Sequence, residues 1–354
     1  MTDPNPYINP GSPLEIVSAR VLFRSEQPKQ FIAPSIVRMG SGQLLLSFSQ
    51  GDDPGSTDSA LMLTRSEDNG ATWSEPESLL ARPGHRCMNM GGFVKFSEDM
   101  LRIVVGACEI DFSLGGDEPF ASWYAGSIDS SDGGRTWSEP SPEIKLFPEW
   151  TEMYGASNPH PLSDGSFLSA AMGTMGRDVQ WHAGVTFSKA PDYEYSAPVI
   201  IANNPERNYS DTDVVRLSDG RFLVVVREHV TLQSVFSHSE DEGRTWSPIR
   251  PTDFKGSNIK LWKLRTGVVA CAYRDEDPSR RGVSLSVTED GGESWEFLGQ
   301  LYDGGDDADH TPGYVCGYPD MVYTNKSDIV LVLHTYRDHT GATDLHLINL
   351  RDVS

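Results

Sequence analysis

One eight-residue pattern, Ser/Thr-x-Asp-x-Gly-x-x-Trp, constrains this chain more than any other feature. It occurs at Ser66–Trp73, Ser130–Trp137, Ser239–Trp246 and Thr288–Trp295. The copies begin 64, 109 and 49 residues apart, so the wide gap holds two periods and predicts a further copy near residue 188. There Ser188–Tyr195 keeps an aromatic residue at the Trp position but has lost the Asp and the Gly. In such a turn the Gly takes positive φ, the Asp bonds to amides of its own loop and the Trp packs between neighbouring sheets. A residue type repeated on every unit is a folding device, because it cannot mark one site.

A second repeat runs out of phase with the first. Apolar runs meet across short Gly or acidic turns at 34–48, 92–105, 158–171, 213–226, 259–272 and 319–333. Six units of about 50 residues, each about four short strands long, predict an all-β six-bladed β-propeller with four antiparallel strands per blade. The blades run over roughly residues 17–350 as a single domain, and the 33 glycines and 23 prolines suit a chain of short strands and turns.

Charge narrows the partners. With 29 Lys+Arg against 51 Asp+Glu the net charge is −22, which repels polyanions and argues against nucleic acid. The longest apolar runs, such as 44–48 and 222–226, are strand-length and far short of the roughly 20 residues of a membrane helix. Residues 1–16 carry neither a basic start nor an apolar stretch of signal-peptide length, so a cytoplasmic location is expected unless a signal has been removed. Cys87, Cys108, Cys271 and Cys316 are widely spaced and read as reduced, buried thiols.

The four motifs resemble the Asp boxes, or BNR repeats, of the sialidase superfamily, and the six blade units are similar to the sialidase propeller over almost the whole chain. Asp boxes also occur in other glycosidases and in non-catalytic proteins. The resemblance implies a retaining exo-glycosidase that removes a terminal sugar, acidic or neutral, from an oligosaccharide or glycoconjugate, with no cofactor. It implies a nucleophilic tyrosine opening the last blade, matched at Tyr318 in Gly317–Val322. The carboxylate that takes the phenol's proton is implied at the start of the fourth blade, where Asp211 and Asp213 both stand. An acid/base Asp is implied in the loop before the first Asp box, where 51–58 offers Asp52, Asp53 and Asp58, with Asp53 or Asp58 taken for the role. Substrate-binding arginines are implied at Arg227 and Arg280, with Arg281 close by.

One departure is marked. Sialidases open the first blade with an Arg that completes a triad around the substrate carboxylate, and here Ile32 holds that place. Losing one guanidinium removes charge-assisted hydrogen bonds of about 1.5–3 kcal/mol each. Arg337 or Arg274 would then have to supply the third cation, or the sugar differs. A tyrosine nucleophile suits an anionic sugar, which a carboxylate would repel. The alternative is a two-carboxylate propeller glycosidase acting on arabinan or pectic glycans, in which Tyr318 only lines the pocket. A third possibility is a carbohydrate-binding propeller without turnover, with Trp123, Trp150, Trp181 and Trp262 available to stack on sugar rings. The acidic run Asp303–His310 lacks the spacing and terminal Glu of an EF-hand, so no metal site is expected.

Overall fold

The computed structural model describes residues 6–24, 30–51, 59–111, 113, 120–141, 152–174, 180–202, 204, 206–304, 316–336 and 342–354. All six expected hairpins form. The pairs Gln30–Arg38 with Leu44–Gly51, His85–Lys95 with Leu101–Ile110, and Glu152–Pro161 with Ser166–Thr174 are antiparallel. So are Tyr209–Arg216 with Phe222–Glu228, Gly256–Lys263 with Val269–Asp275, and Cys316–Tyr323 with Asp328–Tyr336. Four of their tight turns repeat one hydrogen-bond pattern. Leu217 N–H donates to Arg221 O at 2.8 Å and Gly220 N–H to Leu217 O at 3.2 Å, and Met39 with Gly42 and Leu264 with Gly267 do the same. Gly220 sits at φ 93°, a conformation a side chain would strain.

The chain groups into two compact units. The first holds three sheets: that of Gln30–Arg38 through Glu77–Ala81, that of His85–Lys95 through Phe120–Ser130, and one that combines the two ends of the chain. In the last, Leu14–Phe23 is the outer strand beside Thr343–Asp352, with Asp328–Tyr336 and Cys316–Tyr323 next in order. The second unit holds the sheets that begin with Glu152–Pro161, Tyr209–Arg216 and Gly256–Lys263, the last extended by Tyr7–Ile8. In each sheet the first strand of the hairpin, here called the inner strand, is at one edge and the following strands are added in chain order, with Leu14–Phe23 and Tyr7–Ile8 completing the far edge of two sheets. Among the described residues no helix is long and apolar enough to cross a membrane.

Alternation along the strands builds the cores. In the first unit Leu45, Leu61, Leu63, Leu101, Ile103 and Val105 pack together. In the second, Leu223, Val225, Phe236, Leu261 and Tyr273 do so, with Trp295 of the last repeat turn among them. All four cysteines are buried and unbridged.

The repeat turns lie at the end of the third strand of a sheet, and their geometry explains the pattern. Ser66 Oγ accepts from Gly70 N–H at 2.8 Å and donates to Asp68 Oδ1 at 2.9 Å, while Asp68 accepts from Thr72 N–H at 2.8 Å and from its hydroxyl at 2.6 Å. The same bonds recur around Asp132 and Asp241. The Thr72 hydroxyl and amide hold the Asp68 carboxyl down at about 2, and Thr136 and Thr245 do the same for Asp132 and Asp241. Gly243 has φ 87°, and a Cβ there would lie 1.9 Å from Leu168 Cδ1 of the preceding sheet, so a side chain would both strain the backbone and displace Leu168. The degenerate copy at 188–195 forms its turn between Trp181–Lys189 and Glu194–Tyr195, the same place in its sheet, with Tyr193 against the Phe167 ring at 6.1 Å.

Candidate active site

A two-residue bulge or longer skip interrupts every one of the six inner strands, and it determines where the candidate residues point. The register skips from Ile32 to Ser35, Ser157 to His160, Ser210 to Asp213, Ser257 to Lys260 and Gly317 to Asp320, with a longer skip from Asn89 to Phe93. In four of them the first bulged residue is left-handed without being glycine: Ala33 (φ 50°), Asp211 (47°), Asn258 (50°) and Tyr318 (47°). A side chain in that region costs roughly 1–2 kcal/mol, and such strain gathers at functional sites. Asp211 and Tyr318 therefore occupy the same position of the repeat, one in each unit.

The residue two places on does structural work. Asp213, 1% exposed, accepts Leu261 N–H of the next inner strand at 2.8 Å through Oδ2. His160 donates from Nε2 to Val214 O at 2.9 Å, again one sheet on. In the first unit Asp320 Oδ2 accepts from Ser35 Oγ at 2.8 Å and Ile36 N–H at 3.0 Å, and Ser35 Oγ accepts from Phe93 N–H at 3.1 Å. This position ties each of these inner strands to the next. Of the two sequence candidates at the fourth blade, Asp213 is committed to that tie and Asp211 is the one presented elsewhere.

Asp211 anchors a charged network in the second unit. Arg227 Nη1 lies 3.3 Å from its Oδ2, and Asn258 Nδ2 lies 3.5 Å from its Oδ1. Arg227 Nη2 also reaches Glu276 Oε1 at 3.3 Å, and Glu276 accepts the Ser257 hydroxyl at 2.5 Å. Arg274, buried, donates from Nε to Ser257 Oγ at 2.8 Å and lies 3.7 Å from Glu276. Ser210, one residue before Asp211, is hydrogen-bonded to His229 Nε2 at 2.5 Å. Burial pushes the His229 imidazole below its usual pKa, with the Arg227 charge adding to the effect. Two guanidiniums and two carboxylates thus meet around Asp211 with their charges balanced.

The arginines divide differently from the sequence expectation. Arg227 and Arg274 meet through Glu276, whereas Arg280 is folded onto its own hairpin. Its Nε contacts Asp275 Oδ2 at 3.2 Å, its Nη2 lies 3.5 Å from Asp277, and its guanidinium lies over the Phe297 ring at 4.7 Å. Burial raises the Asp275 pKa, and Ser284 with Arg280 opposes that rise. Glu228, beside Arg227, caps a loop: it accepts Val230 N–H at 2.6 Å and Arg207 Nη1 at 2.9 Å.

In the first unit Tyr318 is 43% exposed, and its ring is stacked on that of buried His334 with centroids 5.7 Å apart and planes at 27°. Ile32 lies on its inner strand opposite Ser49, just before the left-handed Ala33. Asp53, Asp58 and Arg337 lie outside the described residues, as do residues 305–310 of the acidic run. Among the described residues no group of three or more His, Cys, Asp or Glu is placed to hold a metal.

Sequence reasoning missed Glu276, Ser257, Asn258 and His334. Glu276 hid within the run Arg274–Asp277, and Asn258 is identified only by its bulge, which no sequence period reveals.

Six antiparallel sheets with bulged inner strands and repeat turns define an all-β, six-bladed β-propeller. The chain belongs to the BNR repeat-like domain family, whose match covers residues 112–331, more than half its length. Among solved structures, a protein of unknown function from Dyadobacter fermentans superposes with a TM-score of 0.80 at 18% identity, covering 97% of this chain and 100% of that one. A Hadza microbial sialidase gives 0.70 at 18% identity over 90% of this chain, which spans 65% of the sialidase's length. The α-L-arabinanase of Penicillium chrysogenum gives 0.68 at 11% identity over 96% and 99% of the two chains. No curated protein matches this chain by sequence.

Proposed function

We propose that this protein is a glycoside hydrolase that removes a terminal sugar from an oligosaccharide or glycoconjugate. The observation that carries the reading is the bulge position. Its left-handed backbone recurs at Ala33, Asp211, Asn258 and Tyr318, and at three of these four it presents a carboxylate, an amide or a phenol. A binding module has no need of a strained nucleophile, and stacking aromatics would serve it as well.

In the sialidase-like form of the reaction the Tyr318 oxygen attacks the anomeric carbon. The bond to the leaving oxygen breaks as an acid, Asp53 or Asp58, protonates it, and water then releases the sugar with retention. Phenols are weak nucleophiles near neutral pH, so a carboxylate must take the proton. Arg227 and Arg274 would bind the sugar; Arg337 keeps its sequence-based assignment, and Arg280 is spoken for by Asp275.

One observation favours a second form on a neutral sugar. Arg227 and Arg274 already face Asp211 and Glu276, which leaves little surplus cation for a substrate carboxylate. Asp211 would then be the nucleophile or base.

The test is turnover of aryl glycosides of sialic acid, uronic acids, arabinose and rhamnose by the wild type, Tyr318→Phe and Asp211→Asn. Hydrolysis of an acidic glycoside, lost in Tyr318→Phe, is the expected outcome. Hydrolysis of a neutral sugar that survives Tyr318→Phe and fails in Asp211→Asn selects the second form. No turnover of any member would overturn the assignment as a hydrolase of these sugars.

A further inference from the structure

We propose that His334 is a positioning residue for Tyr318, holding the phenol ring in its reactive orientation by stacking beneath it. This rests on the assignment of Tyr318 above, and it names a residue that neither the repeat nor the sequence motifs single out.

The bulge creates the room for this contact. Gly317 stands directly opposite His334 in the antiparallel register, and directly opposed residues share a face of the sheet. Gly317 carries no side chain, so the space beside the imidazole is open to another group. The next residue, Tyr318, is left-handed at φ 47°, which swings its ring off the ordinary strand direction. Its ring lies against His334 at 5.7 Å and 27°, within the range of offset-stacked aromatic pairs. Pro319 comes next and fixes its own φ, so the backbone leaving the bulge is stiff.

The support is rigid and the supported ring is not enclosed. His334 is 1% exposed on Asp328–Tyr336, a strand paired on both sides, whereas Tyr318 is 43% exposed. On the outer of those two neighbours, His346 Nε2 is hydrogen-bonded at 2.7 Å to the hydroxyl of Thr335, the residue after His334. An exposed tyrosine ordinarily samples several rotamers. A flat, immobile ring beneath it selects one, and an attacking oxygen misplaced by about 1 Å is enough to cost about 100-fold in rate.

The experiment compares His334→Phe, which keeps a flat ring, with His334→Leu, which fills similar space without one; both are apolar and suit a buried strand. With the glycoside the wild type hydrolyses, His334→Leu is expected to lower kcat about tenfold with KM changed less than threefold, and His334→Phe to stay within threefold of wild type. A second readout needs no turnover: nitration of Tyr318 by tetranitromethane, with peptide mass spectrometry to locate it, on the same proteins. His334→Leu is expected to nitrate several-fold faster, because a Tyr318 ring no longer held in one rotamer by a flat partner swings out to solvent, and His334→Phe at the wild-type rate. Equal nitration in all three proteins, or a kcat in His334→Leu equal to that of wild type, would overturn the proposal. If the wild type hydrolyses none of the glycosides, the functional assignment fails and the nitration rates alone decide the role of His334.

Discussion

Replacing Asp213 by alanine should destabilise the protein where replacing Asp211, two residues away, should not. Asp213 Oδ2 accepts Leu261 N–H at 2.8 Å, and the residue is 1% exposed, so its loss strands a buried amide between two inner strands. A hydrogen bond to a charged group contributes about 1.5–3 kcal/mol, and a buried donor left unsatisfied costs a comparable amount. Taking about 2 kcal/mol, the folded-to-unfolded ratio falls roughly 30-fold, and the thermal midpoint drops by about 3 °C for a chain of this size. Asp211→Ala removes a partner of Arg227, but Glu276 still faces that guanidinium, and the left-handed backbone adds only a small cost, since alanine tolerates that region somewhat less well than aspartate. Its expected effect on stability is smaller than that of Asp213→Ala, because Glu276 keeps the part-buried Arg227 guanidinium paired. Urea unfolding monitored by tryptophan fluorescence measures both variants beside the wild type. Glycoside turnover is expected to show the reverse order, with Asp211→Ala inactive and folded Asp213→Ala active. Equal unfolding midpoints for the two variants, or a larger loss in Asp211→Ala, would refute the division of these carboxylates into a structural and a functional one.

Two further outcomes are expected. Burial holds the His160 imidazole down at about 4, with Arg216, Lys260 and Lys263 adding to the effect against its bond to Val214 O. The folded state therefore resists protonation that the unfolded chain accepts near 6.5, and stability present above that pH is lost as the pH falls from about 6.5 through about 4, by roughly 3 kcal/mol. His160→Gln should flatten that part of the stability profile measured by urea titration at successive pH values, and an unchanged slope would count against it. Ala33→Gly should raise the unfolding midpoint, since glycine removes roughly 1–2 kcal/mol of left-handed strain at φ 50° and costs roughly 0.5–1 kcal/mol of backbone entropy. A fall in the midpoint would show that Ala33 is not strained.

The repeat was legible in the sequence because its chemistry is local. Ser66, Asp68, Gly70 and Thr72 close the turn with bonds among themselves, so any chain with this spacing can form it, and the six apolar hairpins close through turns of the same local kind. Family, fold class and the place of the degenerate copy at 188–195 came from these short-range rules. The bulges, by contrast, are a disagreement in register between two strands. Asp211 and Asp213 look alike along the chain, and only the skipped pairing opposite Val226 turns one toward Arg227 and the other toward Leu261. The arginines show the same divide. Arg280 and Arg274 both flank one acidic hairpin in sequence, yet packing sets Arg280 on Phe297 and Asp275 and brings Arg274 through Ser257 and Glu276 into the network of Arg227.

The sequence by itself determined the number of blades, the turns that punctuate them and the residue types available at each inner strand, since those depend on contacts within a few residues. The tertiary structure decided which carboxylate ties strands together, which arginines share a network and which ring supports Tyr318. Those outcomes depend on which side chains meet across strands and sheets, a relation that spacing along the chain does not encode.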